Sequence, residues 1–391
     1  MHPTGQPAGW RPVARPALAA AVLLILPLAA APAHGQAGGE GDVLPQDAPA
    51  TGRQIYDAAC ANCHGADGAG APKSHVGFDT PLPDFTSCNF ASREPTADWV
   101  AVAHQGGPVR GFGRVMPAFG ELLSPEELER AIDYIRGFCG NDDWPRGELN
   151  LPRAMFTEKA YPEDEAVWTT TVPAEGNAAV MNEIVYERRF GARNQLEVVA
   201  PFSFRDVSAE GEPADWNGGL GDMALGWKRV LFHGLDSGSI LSLTGEVILP
   251  TGDESDGFGN GTATFEPFLS YGQILPDGFF AHAQAGAEIP ADADRTEEGF
   301  WRAAVGRTFT SGAWGRAWSP MVEVLGSREL AEGEPTNWDV VPQLQVTLNT
   351  RQHVMGNVAV RIPVTDTDVR QTELLVYVLW DYFDGGFFAG W

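Results

Sequence analysis

The feature that most restricts the fold of this 391-residue chain is a two-residue alternation of apolar and polar side chains in its second half. The alternation begins after the segment GNDDWPRGELNLPR, which ends at Arg153. In SILSLTGEVILP, Leu243 and Val247 share one side of an extended chain, and Thr244 and Glu246 share the other. A helix cannot place residues in this way, so the pattern predicts β-strands with one apolar face.

The alternation recurs in about twelve segments of roughly ten residues each, separated by turns, which is typical of outer-membrane strands. The same pattern occurs in FFAHAQAGAEI and in WDVVPQLQVTLN. The predicted segments begin near Ala166, Ala179, Gln195, Gly221, Ser239, Thr262, Phe279, Phe300, Ala317, Trp338, His353 and Glu373.

A soluble β-sandwich would also alternate, so the pattern alone leaves two fold classes open. Acidic residues on the polar face favour a barrel with a polar lumen; these are Glu246, Glu288 and Glu323. Proline removes a ladder hydrogen bond and counts against some segments, namely those with Pro267, Pro342 and Pro363. No helix-spanning run occurs in this half, and only helices or closed barrels satisfy the backbone in lipid. We therefore predict an antiparallel β-barrel of about twelve strands over residues 161–391.

The first half carries a motif of a different kind, the sequence Cys60-Ala-Asn-Cys63-His64. This C-x-x-C-H spacing is typical of covalent c-type haem attachment, with two thioethers and an imidazole beside them. A redox dithiol or half of a zinc site would also use C-x-x-C. The adjacent histidine and the lack of a second C-x-x-C favour one covalent haem c, with iron bound by His64.

The second axial ligand is expected downstream, and Met116 is the leading candidate. It lies between Gly113 and Pro117, which break any helix, so it does not belong to a helical core stripe. Methionine is a known iron ligand that raises the haem potential. His75 and His104 remain as alternative ligands.

A capping box at Ser124 and Glu127 begins an amphipathic helix that carries Tyr134. With the helix before C-x-x-C-H and the Met116-Pro117 loop, this segment resembles a class I c-type cytochrome over residues 51–140. The resemblance implies an all-α fold around one haem, with His64 proximal and Met116 distal.

The remaining cysteines, Cys88 and Cys139, lie outside the haem motif. In an exported chain an even pair favours a disulfide, and two free thiols are the alternative.

The first residues have the order of an export signal. Arg11 and Arg15 precede an apolar run over residues 18–31, which small residues follow. The run is short for a membrane span, so we predict a signal peptide over residues 1–36 rather than a retained anchor. Linkers are expected over residues 37–50 and 141–160.

The net charge of −26 argues against nucleic acid as a partner, because phosphates would be repelled. No catalytic constellation was found, so an electron-transfer protein is favoured over a substrate-converting enzyme. The segments LGDMALGWKRVLF and LSLTGEVILPTGD resemble a broad family of outer-membrane channel proteins, one branch of which is associated with aromatic degradation.

The whole arrangement is similar to outer-membrane cytochrome-porin fusions of iron-oxidising bacteria. The sequence thus predicts one-electron transfer at or across the outer membrane, with a redox protein or an extracellular donor or acceptor as partner. A solute channel with a periplasmic redox domain and a soluble periplasmic two-domain carrier are the alternatives.

Overall fold

The computed structural model describes residues 49–176, 178–208 and 213–390. The expected signal peptide over residues 1–36 and nearly all of the expected linker over residues 37–50 lie outside these ranges. Short helices and loops occupy residues 49–148, called the helical region below, and strands follow from residue 165. Among the described residues, no helix has the length and apolar composition needed to cross a bilayer.

The helical region is built on two capped helices that pack together. Both expected capping boxes are present, at Thr51 and at Ser124. The first and last helices approach closely at Gly52, where a Cβ atom would overlap the backbone carbonyl of Arg130. The helices are α1 (Gly52–Ala59), α2 (Ala61–His64), α3 (Lys73–Val76), α4 (Cys88–Ala91), α5 (Thr96–Gln105) and α6 (Pro125–Arg136).

A small apolar core and a disulfide hold this region together. Tyr56 from α1 packs with Leu128, Ile132 and Ile135 from α6, and Phe85 and Ala103 complete the cluster. The expected bond between Cys88 and Cys139 is confirmed, with the two Cα atoms 5.1 Å apart. It ties α4 to the segment just after α6.

The strands form one antiparallel sheet that closes on itself. They are β1 (Glu165–Pro173), β2 (Ala179–Phe190), β3 (Asn194–Asp206), β4 (Trp216–Leu220), β5 (Met223–Gly234), β6 (Ser239–Leu249), β7 (Thr264–Ile274), β8 (Phe279–Pro290), β9 (Glu298–Arg307), β10 (Phe309–Ser311), β11 (Arg316–Glu329), β12 (Asn337–Thr347), β13 (Val354–Pro363) and β14 (Glu373–Asp381).

Closure comes from the pairing of β1 with β14 and of β9 with β11. The short strands β4 and β10 extend β5 and β9 across breaks, so the wall has twelve positions. The predicted barrel of about twelve strands is therefore confirmed. The observed strands begin within two residues of the predicted starts, with β5 taken as the fourth.

The two faces of the wall have opposite chemistry. In β6, Ser242 and Thr244 are fully buried towards the lumen, whereas Leu243 is 44% exposed on the outside. Large apolar side chains such as Trp168 and Val358 are also exposed outside, and Glu323 and Lys228 are buried inside. A water-soluble sandwich would bury its apolar face, so this inverted pattern indicates contact with lipid.

The strand prolines are accommodated where the ladder to one neighbour is interrupted. Pro267 pairs with Gly245 in β6, while the contacts of β7 with β8 skip from Phe265 to Phe268. Pro342 likewise lies in a gap of the ladder between β12 and β13. A proline without a ladder partner on one side costs no hydrogen bond there.

The two ends of the barrel differ in loop length. Connections at one end are short, over residues 191–193, 235–238, 275–278, 312–315 and 348–353. At the other end they reach from residue 250 to 263 and from 364 to 372. Outer-membrane barrels have short periplasmic turns and longer extracellular loops. The strand β1 begins at the short-turn end, so the helical region lies on that side.

We expect Leu243→Arg to destabilise the folded barrel by about 2–4 kcal/mol, because an arginine at this mid-strand position would face lipid. The measurement is the free energy of unfolding in lipid vesicles, followed by the different gel mobility of unheated and heated protein. Leu330→Arg is the matched control, since Leu330 follows β11 in a long loop and is 57% exposed. Equal losses in the two variants would contradict the assigned lipid face.

Candidate functional site: a composite cavity above a filled lumen

The C-x-x-C-H motif forms a single helical turn at the wall of a cavity. The backbone amides of Cys63 and His64 both donate to the carbonyl of Cys60, at 3.2 and 3.0 Å. Gly65 follows with a φ of 78°, which turns the chain away after the motif. Tyr56 fixes this turn by donating its hydroxyl proton to the Gly65 carbonyl at 2.6 Å. All three motif side chains line the same cavity.

The cavity has a volume of about 430 Å³, within the range of cofactor and ligand sites. Met116 lies on its wall, on a loop held against the end of α5. The Gly107 amide donates to the Met116 carbonyl at 3.1 Å, and Gly106 adopts a φ of 82° directly beside it. The structure therefore brings Cys60, Cys63, His64 and Met116 to one cavity. The alternative ligands His75 and His104 are exposed and do not line it.

The surroundings of the motif suit a neutral, iron-binding imidazole. Burial lowers the pKa of His64, which keeps its ring uncharged near neutral pH. The His64 ring packs against Phe85 at 4.9 Å, and its buried Nδ1 makes no hydrogen bond within the described ranges. Burial also raises the pKa of the Cys60 thiol to about 11, whereas a zinc site needs thiolates. The residues present thus fit a covalent haem better than a metal-thiolate site.

Residues of the barrel complete the cavity on the side opposite α6. Arg351 and His353, which lie in the turn before β13, are on the cavity wall together with Phe383. The His353 Nε2 atom is 2.8 Å from a Glu94 oxygen, which connects the barrel turn to the helical region. Burial alone would raise the pKa of Glu94, but attraction to His353 and a hydrogen bond from its ring lower it overall.

A second charged pair lines the same side of the cavity. Arg110 donates two hydrogen bonds to Asp98, at 2.9 and 2.6 Å, and a third to the Trp314 carbonyl of the barrel at 2.8 Å. Burial raises the pKa of Asp98, the nearby Glu94 adds to this, and Arg110 opposes it. The cavity is therefore apolar towards α6 and charged towards the barrel.

Further polar contacts fasten the helical region to the short-turn end. Arg93 forms an ion pair with Asp164, and Arg193 pairs with Asp143 at 2.8 Å. The Tyr161 hydroxyl donates to the Ser92 carbonyl at 2.8 Å within a buried contact. The helical region is thus packed on the barrel rather than tethered to it.

The segment over residues 149–164, called the plug below, runs inside the barrel. The backbone amides of Met155 and Thr157 donate to Glu323 of β11, at 2.9 and 2.7 Å. The Glu158 amide donates to Gln284 of β8 at 3.2 Å. On the opposite side of the ring from β8, Arg153 of the plug pairs with Glu165 of β1, so the plug lies across the lumen.

Two buried cations hold the plug in place. Arg153 is 2.6 Å from Glu165 and 3.2 Å from Glu187. Lys159 is 2.5 Å from Glu163 and 2.9 Å from Glu165. A buried charge is stable only when it is paired and hydrogen-bonded, so these cations and carboxylates depend on each other.

The plug and the barrel side of the cavity were not foreseen in the sequence. Residues 141–160 were expected to be a linker, yet Leu149, Leu151 and Ala160 are almost fully buried. The one available signal was the pair of cations Arg153 and Lys159 in an apolar segment directly before the first strand.

Comparisons with known proteins divide the chain in the same way. Residues 47–135 match the family model described as cytochrome c oxidase, cbb3-type, subunit III. Residues 165–322 match the model described as putative MetA-pathway of phenol degradation. No curated protein sequence matches the chain.

Among solved structures, an outer-membrane channel from Pseudomonas putida F1 is similar, with 11% identity, a TM-score of 0.40 and coverage of 59% of this chain and 99% of that one. The KdgM porin has 10% identity, a TM-score of 0.36 and coverage of 56% and 99%. The NanC porin has 8% identity, a TM-score of 0.39 and coverage of 55% and 98%.

The site lies at one end of a closed wall of twelve strands. This wall has an apolar outer face and a polar lumen, as a barrel in a membrane requires. The chain is a bacterial outer-membrane protein in which a region that matches a cytochrome c-type family model precedes a closed barrel of twelve strands.

Removing the two plug cations should open the lumen. In the double variant Arg153→Gln, Lys159→Gln, buried carboxylates lose their partners, and breaking one such pair costs about 3–5 kcal/mol. We expect the wild type to be nearly silent in planar lipid bilayers and the double variant to show frequent ion conductance.

The matched control is Arg295→Gln, which breaks the solvent-exposed ion pair with Glu254 and should leave the bilayer silent. Steady porin-like conductance in the wild type would show that the plug does not close the lumen.

Proposed function

We propose that this protein is a one-electron carrier anchored in the outer membrane, with one covalent haem c in the composite cavity. Cys60 and Cys63 would form the thioethers, and His64 and Met116 would bind the iron. The observation that carries the proposal is the convergence of Cys60, Cys63 and His64 on one cavity with Met116, which lies more than 50 positions later in the sequence. In this proposal the helical region has the fold of a class I c-type cytochrome.

The haem supplies reversible one-electron chemistry at its iron. Different parts of the cavity would contact different parts of the haem. The apolar wall formed by Leu128, Ile132 and Ile135 excludes water from the ring. Arg110 and Arg351 lie on the charged side of the cavity, where guanidinium groups suit the haem carboxylates. A thioether ligand favours the reduced iron and so raises the reduction potential.

The haem end of the molecule faces the periplasm in this proposal, because the helical region packs on the short-turn end of the barrel. A periplasmic redox protein then exchanges electrons with the haem directly. An extracellular donor or acceptor would have to act through the lumen, where the plug lies between the cavity and the long loops.

The second candidate function is a solute channel with a redox domain at its periplasmic end. The polar lumen favours it, since Ser242, Gln343 and Gln345 line the wall as they would in a porin. The plug argues for the carrier, because Arg153 and Lys159 are buried in ion pairs and occupy the space that a solute would need. In the carrier the barrel serves as a membrane anchor for the haem.

We expect Met116→Ala to retain covalent haem but to lower its reduction potential, because a stronger ligand for ferrous iron is lost. The measurements are haem staining after denaturing electrophoresis, potentiometric titration and the sulfur-to-iron absorption band of the ferric protein. His75→Ala and His104→Ala are matched controls and should leave all three unchanged.

An unaltered potential and absorption band in Met116→Ala, with a change in either histidine variant, would transfer the ligand role to that histidine. The wild type should also be purified from a host that matures c-type cytochromes. If this protein shows no haem staining after denaturing electrophoresis, the proposal itself is overturned.

A further inference from the structure

A row of carboxylates winds around the inside of the barrel. Cross-strand neighbours place Glu187 opposite Glu197, Glu246 opposite Glu266, and Glu288 opposite Glu298. The ladders of the intervening strands join these pairs into one continuous row on the lumen face. In order around the wall the acidic residues are Asp381, Glu165, Glu187, Glu197, Glu246, Glu266, Glu288 and Glu298.

The row climbs from one end of the barrel to the other. Barrel strands are tilted relative to the barrel axis. Residues paired directly across neighbouring strands therefore lie at successively different heights along that axis. Glu165 is the first residue of β1 and Asp381 the last of β14, both at the short-turn end. Glu298 is the first residue of β9, directly after the long loop over residues 291–297. The row therefore connects the plug to the mouth formed by the long loops.

In the described residues, ion pairs with protein cations occur only in the lower part of the row, and Arg302 of β9 attracts Glu246, Glu266 and Glu288 of the upper part without forming an ion pair. Arg153 and Lys159 of the plug pair with Glu165, and Arg153 also reaches Glu187. In the part of the chain that the structure describes, the upper members form no ion pair; they are Glu197, Glu246, Glu266, Glu288 and Glu298. Like charges placed directly across neighbouring strands destabilise a sheet, so this arrangement calls for a counter-charge.

The row meets a carboxylate of the plug, Glu158, where it passes from β3 to β6. Carboxylate oxygens of Glu158, Glu197 and Glu246 lie within 4.8 Å of one another. Gly226 stands between Glu197 and Glu246 in the ladder and leaves space for both side chains. A Cβ atom at Gly226 would lie 3.2 Å from the Cβ of Glu197.

Glu246 gives an independent indication of a ligand. Its side chain is nine-tenths buried, with 9% of the residue exposed. It makes no hydrogen bond or ion pair with any residue in the described ranges, although it points into the cluster. Glu197 accepts one long hydrogen bond from Gln195 at 3.3 Å, and Lys228 lies 3.5 Å from Glu158. Three carboxyl groups therefore share this space with one nearby ammonium group.

We propose that Glu158, Glu197 and Glu246 bind a hard divalent cation that enters from the long-loop mouth along the upper carboxylate row. Carboxylate oxygens are the ligands that Ca²⁺, Mg²⁺ and Mn²⁺ prefer, and the three carboxyl groups converge closely enough to bind one such ion. Glu266, Glu288 and Glu298 attract the cation towards the site. The proposal is independent of the haem, because none of these residues lines the haem cavity.

The test uses Mn²⁺ and the full-length, haem-containing protein folded in detergent, at pH 7.5 and physiological salt. Bound Mn²⁺ is measured as the loss of the electron paramagnetic resonance signal of the free ion, with competition by Ca²⁺. We expect one tight site in the wild type, with at least about tenfold weaker binding in the isosteric variants Glu246→Gln and Glu197→Gln, since each removes a charged ligand. Glu254→Gln in the long loop over residues 250–263 is the matched control and should bind as the wild type does.

A second measurement separates a cation site from a purely structural role. Without divalent ions, Glu246→Gln should unfold at a higher temperature than the wild type, because the repulsion with Glu266 is removed. With saturating Mn²⁺, the wild type should gain stability and the variant should gain less, since a ligand stabilises only the state that binds it. Absence of tight Mn²⁺ binding in the wild type, or equal binding in Glu246→Gln, would overturn the proposal.

Discussion

The pairing of β1 with β14 is the contact on which the rest of the structure depends. An open sheet edge cannot exist in lipid, so the ring must close, and closure fixes the position of Glu165 at the start of β1. The plug precedes Glu165 directly in the chain, and the helical region precedes the plug. Fixing the first strand therefore draws the plug into the lumen and sets the helical region on the short-turn end, where Arg93 and Glu94 meet Asp164 and His353.

The carboxylates inside the barrel differ in their ion-pair partners between its two ends. Near the short turns, buried carboxylates are paired with the plug cations Arg153 and Lys159. Towards the long loops, carboxylates face each other without an ion pair in the described part of the chain, and Arg302 attracts several of them from farther away. Part of the net charge of −26 thus lies on carboxylates that face the lumen.

Local patterns predicted much of the fold. Two-residue alternation predicted the number of strands and nearly all their starts. The capping boxes at Thr51 and Ser124 predicted where two helices begin. The disulfide between Cys88 and Cys139 followed from an even count of remaining cysteines in an exported chain. Each of these features depends on residues close in sequence or on simple counting.

Features that depend on contacts between distant elements could not be predicted in this way. Alternation shows that Glu246 faces the lumen, but only the register between strands shows that it lies opposite Glu266. The plug resembles a linker in sequence, because its ion pairs join it to strands that come later in the chain. The barrel side of the haem cavity, with Arg351 and His353, lies more than 200 residues beyond the C-x-x-C-H motif.

The central claim is that a haem lies at the periplasmic end of a closed outer-membrane barrel. Its most direct test is the rate at which a membrane-impermeant oxidant reacts with the reduced haem in cells that express the protein. The haem spectrum should remain reduced while the outer membrane is intact and should become oxidised once that membrane is permeabilised. Equally fast oxidation in intact cells would place the haem within reach of the outside and contradict the account.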